Sequence, residues 1–255
     1  MNIMKNFVKT YWKIIVFFTA AGLVGGFFTG LYVLDSYPAE MQQEILDQGL
    51  NSFLLGIITA VQAAFYGLVL GTLGIIIAKS IGLWKDFSKL EKKPVISAVV
   101  VAVIGGLLLI QTDIFFFGNY SQAIMDSYSA KPNIVTILAS IIYGGVIEEV
   151  MLRLFMMSLV ALILHKIFEK GKEETSASVF VIANIISAML FAAGHLPTTS
   201  IVLGITPMIL LRCFLLNGGI GLLFGRLYRK YGLQYAMIAH AGCHVVSKAI
   251  WLVWL

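Results

Sequence analysis

An all-α, polytopic transmembrane helical bundle of about seven spans is the fold this sequence predicts, on three observations. Hydrophobic residues fill 59% of its 255 positions and charged residues only 12%. With a mean hydropathy of +0.92, that is more apolar surface than a water-soluble domain of this size can hide. Stretches of roughly 20 apolar residues recur, the length a helix needs to cross the hydrocarbon core of a bilayer. The charges between those stretches alternate in sign, as membrane-protein loops do. The net charge of +5 sits in short loops, so it speaks for membrane orientation and against a nucleic-acid partner. Cys213 and Cys243 both fall in apolar runs and indicate neither a disulfide framework nor a CxxC knuckle.

The candidate spans are residues 14–34, 53–78, 95–117, 133–165, 177–195, 201–224 and 233–255; counts from six to eight are compatible with the pattern. The first run shows no cleavable-leader pattern and is long enough to remain as a span. The fourth is too long for one upright helix and must tilt, break or project. Lys5, Lys9 and Lys13 precede the first span, and Asp35, Glu40, Glu44 and Asp47 follow it. Lys79, Lys85, Lys89, Lys92 and Lys93 follow the second, and Asp113, Asp126 and Lys131 are assigned to the loop after the third. Lys166, Lys170 and Lys172 follow the fourth, and Arg226, Arg229 and Lys230 the sixth. The positive-inside rule then predicts a cytoplasmic N-terminus and an external C-terminus, with Trp251 and Trp254 in the outer aromatic belt. The host expected is the cell (plasma) membrane. No repeat or linker divides the chain. It reads as a single integral domain, with spans one to three in residues 1–132 and a core of spans four to seven in residues 133–255.

Few charges are left inside the spans: Glu148, Glu149, Arg153, Arg212 and Lys248. A charge at mid-bilayer costs about 2.5–3.5 kcal/mol on insertion scales, so it is rarely kept without a role. Glu149 and Arg153 are four apart and can pair on one helix face. Glu148, turned about 100° from Glu149, is left free of that pair. His240 and His244, also four apart, point the same way. They read either as interhelical hydrogen-bonding residues or as a catalytic or zinc-binding pair. Asn184, Ala188, Phe191 and His195 share one face of the fifth span, which Pro197 is expected to close just after His195. His195 reads equally as a helix-end histidine near water or as a base or ligand. Arg212 is expected beside a carboxylate or a watery cavity, Lys248 to snorkel outward, and His165 to lie at the interface.

Three motifs in order carry a family resemblance. Glu148-Glu149-Val150-Met151-Leu152-Arg153 fits E-E-x-x-x-R. Phe191-Ala192-Ala193-Gly194-His195, followed by Leu196-Pro197, fits F-x-x-x-H. His240-Ala241-Gly242-Cys243-His244 stands where a histidine is followed four residues later by Asn or Asp, so His244 departs from the pattern. Through these motifs residues 141–246 resemble the CAAX prenyl protease and bacteriocin-processing (CPBP, or Abi) family of intramembrane proteases. The resemblance implies an endopeptidase in which Glu148 and His195 activate a water that attacks a peptide carbonyl. His240, with His244, would bind the developing oxyanion or a metal. Glu149, Arg153, Phe191 and Asn184 would support the geometry. Family members have been regarded both as zinc enzymes and as metal-independent glutamate proteases. The cofactor therefore stays open; in a zinc enzyme the ligands would come from Glu148, His195, His240 and His244.

The partners implied are membrane lipid and a peptide or protein substrate, lipidated or membrane-associated. Two other readings fit the same charges. One is a catalytically silent scaffold or bacteriocin self-immunity protein that keeps the fold, to which His244 points. The other is a proton- or ion-coupled transporter, which an inverted repeat would favour; no such repeat stands out. One tension remains at this level. The charge rule puts His195 at the outer end of its helix and His240 in the inner half of its own, whereas the protease reading needs them at one depth.

Overall fold

The computed structural model describes residues 2–87 and 89–254; Met1, Ser88 and Leu255, the last residue of the predicted seventh span, lie outside the described residues. The helices are α1 (Asn2–Val33), α2 (Ala39–Asp47), α3 (Ser52–Ser80), α4 (Lys92–Phe115), α5 (Gln122–Ser127), α6 (134–168), α7 (Ala177–Gly194), α8 (Leu196–Val202), α9 (Pro207–Tyr231) and α10 (Leu233–Trp254). There is no strand among the described residues. Among the described residues six stretches are long and apolar enough to cross a membrane: α1, α3, α4, α7 with α8, α9 and α10. The charged α6 brings the number to seven.

Short polar residues start several of these helices. The side chains of Asn51, Asn133, Ser176 and Thr206 accept hydrogen bonds from the backbone N–H three residues on. Such caps satisfy donors left open in the first turn and stabilise by about 1 kcal/mol each. Between α9 and α10 the chain reverses at Gly232, whose φ of +116° an L side chain would resist.

Close backbone approach holds the first two spans together. Gly22, Gly26 and Gly30 recur every four residues along α1 and face α3. A Cβ on Gly22 or Gly30 would collide with the backbone of Ala63 or Leu55, and one on Gly26 would come within 2.5 Å of the Thr59 carbonyl. Small residues at this spacing let helices gain van der Waals contact where lipid removes the hydrophobic drive.

At the centre stands α6. It touches α1, α3, α7, α9 and α10, which is why a segment carrying three charges can be held in a membrane: protein, not lipid, surrounds it. Over residues 140–148 and 150–157 it opens into wide π-helical turns. Such turns are rare and concentrate at functional sites. The larger apolar core, which includes Phe18, Val150, Leu154, Phe180, Phe224 and Tyr228, fills one part of the bundle. A smaller one of Phe117, Ile124, Ile209 and Leu216 fills another.

Three expectations change. The first helix begins at Asn2 rather than residue 14, so the early lysines ride on it. α7 does end beside His195, as expected, but Pro197 sits in the first turn of a further helix, α8, where its missing N–H costs nothing. That displaces the start of the sixth span from residue 201 to Pro207. Asp113 is not in a loop. It is fully buried in the last turns of α4, because a cation waits for it, as described below.

Candidate active site

The Glu148–Arg153 motif lies on the π-helical part of α6. Glu149 and Arg153, 0% and 1% exposed, form the expected pair, with Nη1 3.2 Å from Oε1. Arg153 has more to hold it than that carboxylate. Its Nη2 donates to the Gly221 carbonyl at 3.0 Å, and its guanidinium lies over the rings of Phe191 at 4.5 Å and Phe224 at 5.4 Å. A desolvated cation–aromatic contact of this kind is worth about 2 kcal/mol. Gly221 is what makes room, since a Cβ there would meet Nη2 at 2.7 Å.

Glu149 does a second job that its spacing does not reveal. Its Oε1 also lies 2.8 Å from Nδ1 of His240, the buried histidine of α10. A carboxylate only accepts, so Nδ1 carries the proton and Nε2 of the neutral ring is left with its lone pair. That Nε2 stands 3.7 Å from Oε2 of Glu148. The His240 ring is fixed further by stacking on Phe224 at 4.5 Å and on His244 at 5.1 Å. One buried carboxylate thus sets the tautomer and plane of an imidazole whose other nitrogen faces the free carboxylate.

His195 ends α7, where its Nδ1 lies 2.8 Å from the Phe191 carbonyl. The same logic applies: a carbonyl only accepts, so Nδ1 is the donor and Nε2 is available. Phe191 packs edge-on against both His195 at 4.7 Å and His240 at 5.7 Å, so one ring spaces the two imidazoles and supports Arg153 as well.

Glu148, His195, His240 and His244 all line a single cavity of about 730 Å³. Glu148 keeps 20% of its side chain exposed, while its neighbour keeps none. The inner and outer positions inferred from loop charges for His195 and His240 therefore do not separate them; helices of unequal length bring both to one chamber. Asn184 is not among the residues of this cavity. Its amide donates to the Leu222 carbonyl at 3.0 Å and fills the space beside Gly225, a helix–helix tie between α7 and α9.

The cavity also has walls from outside the motif region. Thr29, Tyr32, Val33 and Ser36 of α1 and its C-terminal turn, Leu109 of α4, and Asn217 on a π-helical turn of α9 contribute, as do Ser140 and Tyr143 of α6. Nothing in single-helix periodicity marks them. The only available signal is that Thr29, Tyr32 and Ser36, three and four apart, form a polar strip on an otherwise apolar span.

A catalytic zinc takes three protein ligands plus a water. Among the described residues, no three His, Cys, Asp or Glu side chains gather in a way that could hold a metal ion. His240 gives Nδ1 to Glu149 and keeps Nε2 as the atom a metal could take, and the Nε2 atoms of His240 and His244 both face Gly144, 3.7 and 2.8 Å from where a Cβ would stand. No third ligand gathers with them among the described residues, so the arrangement does not fit a catalytic zinc site.

Arg212 finds a carboxylate, Asp113, which accepts from Nε at 2.6 Å and Nη2 at 2.5 Å. His165 lies at the end of α6, 3.1 Å from Glu169. Lys248 extends over the Trp251 ring at 5.7 Å.

Against known families, residues 130–246 match the model for type II CAAX prenyl endopeptidases, Rce1-like. No curated protein and no solved structure matches the chain.

Proposed function

We propose that this integral membrane protein, whose residues 130–246 match the model for type II CAAX prenyl endopeptidases, hydrolyses a peptide bond in a lipidated or membrane-associated peptide or protein. The observation that carries the reading is the shared cavity. One accessible carboxylate, Glu148, and two histidines with unspent Nε2 atoms line a chamber whose remaining wall is largely apolar.

Glu148 takes a proton from a water as its oxygen bonds to the scissile carbonyl carbon, and the carbonyl electron pair moves to oxygen. His195 orients that water through Nε2. The tetrahedral species then collapses, the C–N bond breaks, and the amine leaves with the proton Glu148 had taken. Glu149 acts through His240: it fixes the tautomer and plane of the imidazole, so that Nε2 is held beside Glu148 and the attacking water. The apolar wall, which includes Met151, Met156, Leu190 and Ile220, accepts the apolar part of a membrane substrate. The N-terminus is assigned to the cytoplasm from the lysines of its first turns.

Purified protein in detergent or nanodiscs tests this with a farnesylated peptide ending in a CAAX sequence. Glu148→Ala and His195→Ala each abolish cleavage while the helical fold and elution profile persist. Parental rates in both variants would falsify the assignment and leave the scaffold reading in its place. Chelator treatment that removes bound zinc leaves the rate unchanged; a loss restored by added zinc would return the metal to the mechanism.

A further inference from the structure

Hydrolysis by Glu148 needs donors for the charge that grows on the carbonyl oxygen, and the motif histidines are poorly placed to supply all of them. His240 and His195 both direct their Nδ1 protons at protein acceptors, Glu149 and the Phe191 carbonyl. In their neutral forms they offer the cavity a lone pair rather than an N–H. The position where the family pattern has Asn or Asp holds His244 here, and its ring stacks on His240.

Two phenols lining the same cavity are differently disposed. Tyr32 of α1 and Tyr143 of α6 both line the cavity, and both lie within electrostatic reach of the Glu148 carboxylate. Neither hydroxyl has a hydrogen-bond partner among the described residues. Three other hydroxyls lining the cavity are already spent: Thr29 donates to the Gly25 carbonyl, Ser36 to Val33 and Ser140 to Thr136. Nearby Tyr66 accepts from Gln62. Both side chains are half-buried, and their hydroxyls keep their donor hydrogens for whatever enters the cavity. Close backbone packing surrounds Tyr143. Gly25 of α1 sits against the backbone of Tyr143, where a Cβ would come within 2.8 Å of its nitrogen.

We infer that the hydroxyls of Tyr32 and Tyr143 donate hydrogen bonds to the carbonyl oxygen of the scissile peptide, holding it beside Glu148 and taking up the negative charge as water adds. No proton leaves either tyrosine; the water's proton goes to Glu148, and the phenols donate to the oxyanion until the carbonyl re-forms. The inference rests on the protease reading above and gives the first span, outside the matched region, a direct place in the chemistry.

Tyr32→Phe and Tyr143→Phe keep the rings and remove only the donors. With the farnesylated peptide as probe, each lowers kcat by about 10- to 100-fold, the range of a lost oxyanion donor and below. KM changes less than threefold, and the thermal midpoint is unchanged. Affinity for a peptide phosphinate, whose oxygens stand where those of the tetrahedral species do, falls in parallel without any turnover. If the double variant keeps parental kcat and phosphinate affinity while Glu148→Ala is inactive, this inference is wrong and the protease reading stands. If the parent neither cleaves the peptide nor binds the phosphinate, both fall together.

Discussion

Among the described residues, the ion pairs Asp113–Arg212 and Glu149–Arg153 differ in how fully they are satisfied. At one, Asp113 of α4 receives both nitrogens of Arg212 from α9, and the Tyr128 hydroxyl donates to Oδ2 at 2.7 Å. Trp251 of α10 adds a bond to the Tyr128 carbonyl, so three spans and a connecting segment are latched together. At the other, Glu149 is shared by Arg153 and His240, yet its Oε2 and Arg153 Nη1 have no hydrogen-bond partner, and Glu148 beside it faces a cavity. The first network is closed and does mechanical work. The second is left incomplete next to space for a ligand, which costs stability and leaves groups free to interact with something not yet bound.

Breaking that contrast starts with the closed pair, where the largest effect on folding is expected. Asp113→Asn or Arg212→Met alone leaves an uncompensated buried charge and lowers stability by about 3–5 kcal/mol, while the apolar double replacement recovers most of it. Unfolding in detergent measures this, and cleavage per folded molecule stays within twofold of the parent. A comparable loss of kcat would mean the latch also shapes the site.

Glu149→Gln attacks the open pair. The amide no longer demands a proton on His240 Nδ1, and cleavage falls about 100-fold at the upper end of outer-shell effects. A parental kcat would remove the orienting role proposed for Glu149.

Gly144→Ala is gentler. A Cβ there meets His244 Nε2 at 2.8 Å, so the stacked ring must shift; overpacking of this kind costs about 1–3 kcal/mol. Activity is expected to fall with it, and an unchanged kcat would show that His244 need not hold its place.

The smallest effect lies outside the spans. In the loop after α6 the Ser176 hydroxyl and backbone N–H, then His165, hold the Glu169 carboxyl at about 2, below its ordinary 4.5. A depressed carboxyl contributes stability that is complete above its unfolded value and disappears as pH falls from there toward 2. Hydrogen exchange across residues 169–176 should therefore separate parent from Glu169→Gln at pH 7 and converge at low pH. Convergence already at neutral pH would contradict the loop's carboxylate clamp.

Much of this arrangement is written in linear pattern. The Glu149–Arg153 pair follows from a four-residue spacing on one helix and appears as expected, because local helical geometry needs no knowledge of the rest of the chain. The same spacing sets His240 over His244. Asn184 shows where such reasoning fails. It shares a helical face with Phe191 and His195, but over two to three turns the face passes from the cavity to the contact with α9, and the amide bonds a backbone carbonyl there. Asp113 failed for a different reason: near the end of an apolar run, a carboxylate reads as a loop residue unless its distant partner, 99 positions away, is known.

Apolar run length and in-span charge, both local properties, determined from sequence alone that this protein is a membrane-embedded helical bundle with a carboxylate and histidines at its heart. Tertiary structure alone decided that Glu149 orients His240, that His195 and His240 share a chamber despite loop charges that set them apart, and that tyrosines from α1 and α6 line it with them. These are contacts between helices, and a one-dimensional period says which way a side chain faces but not what stands opposite.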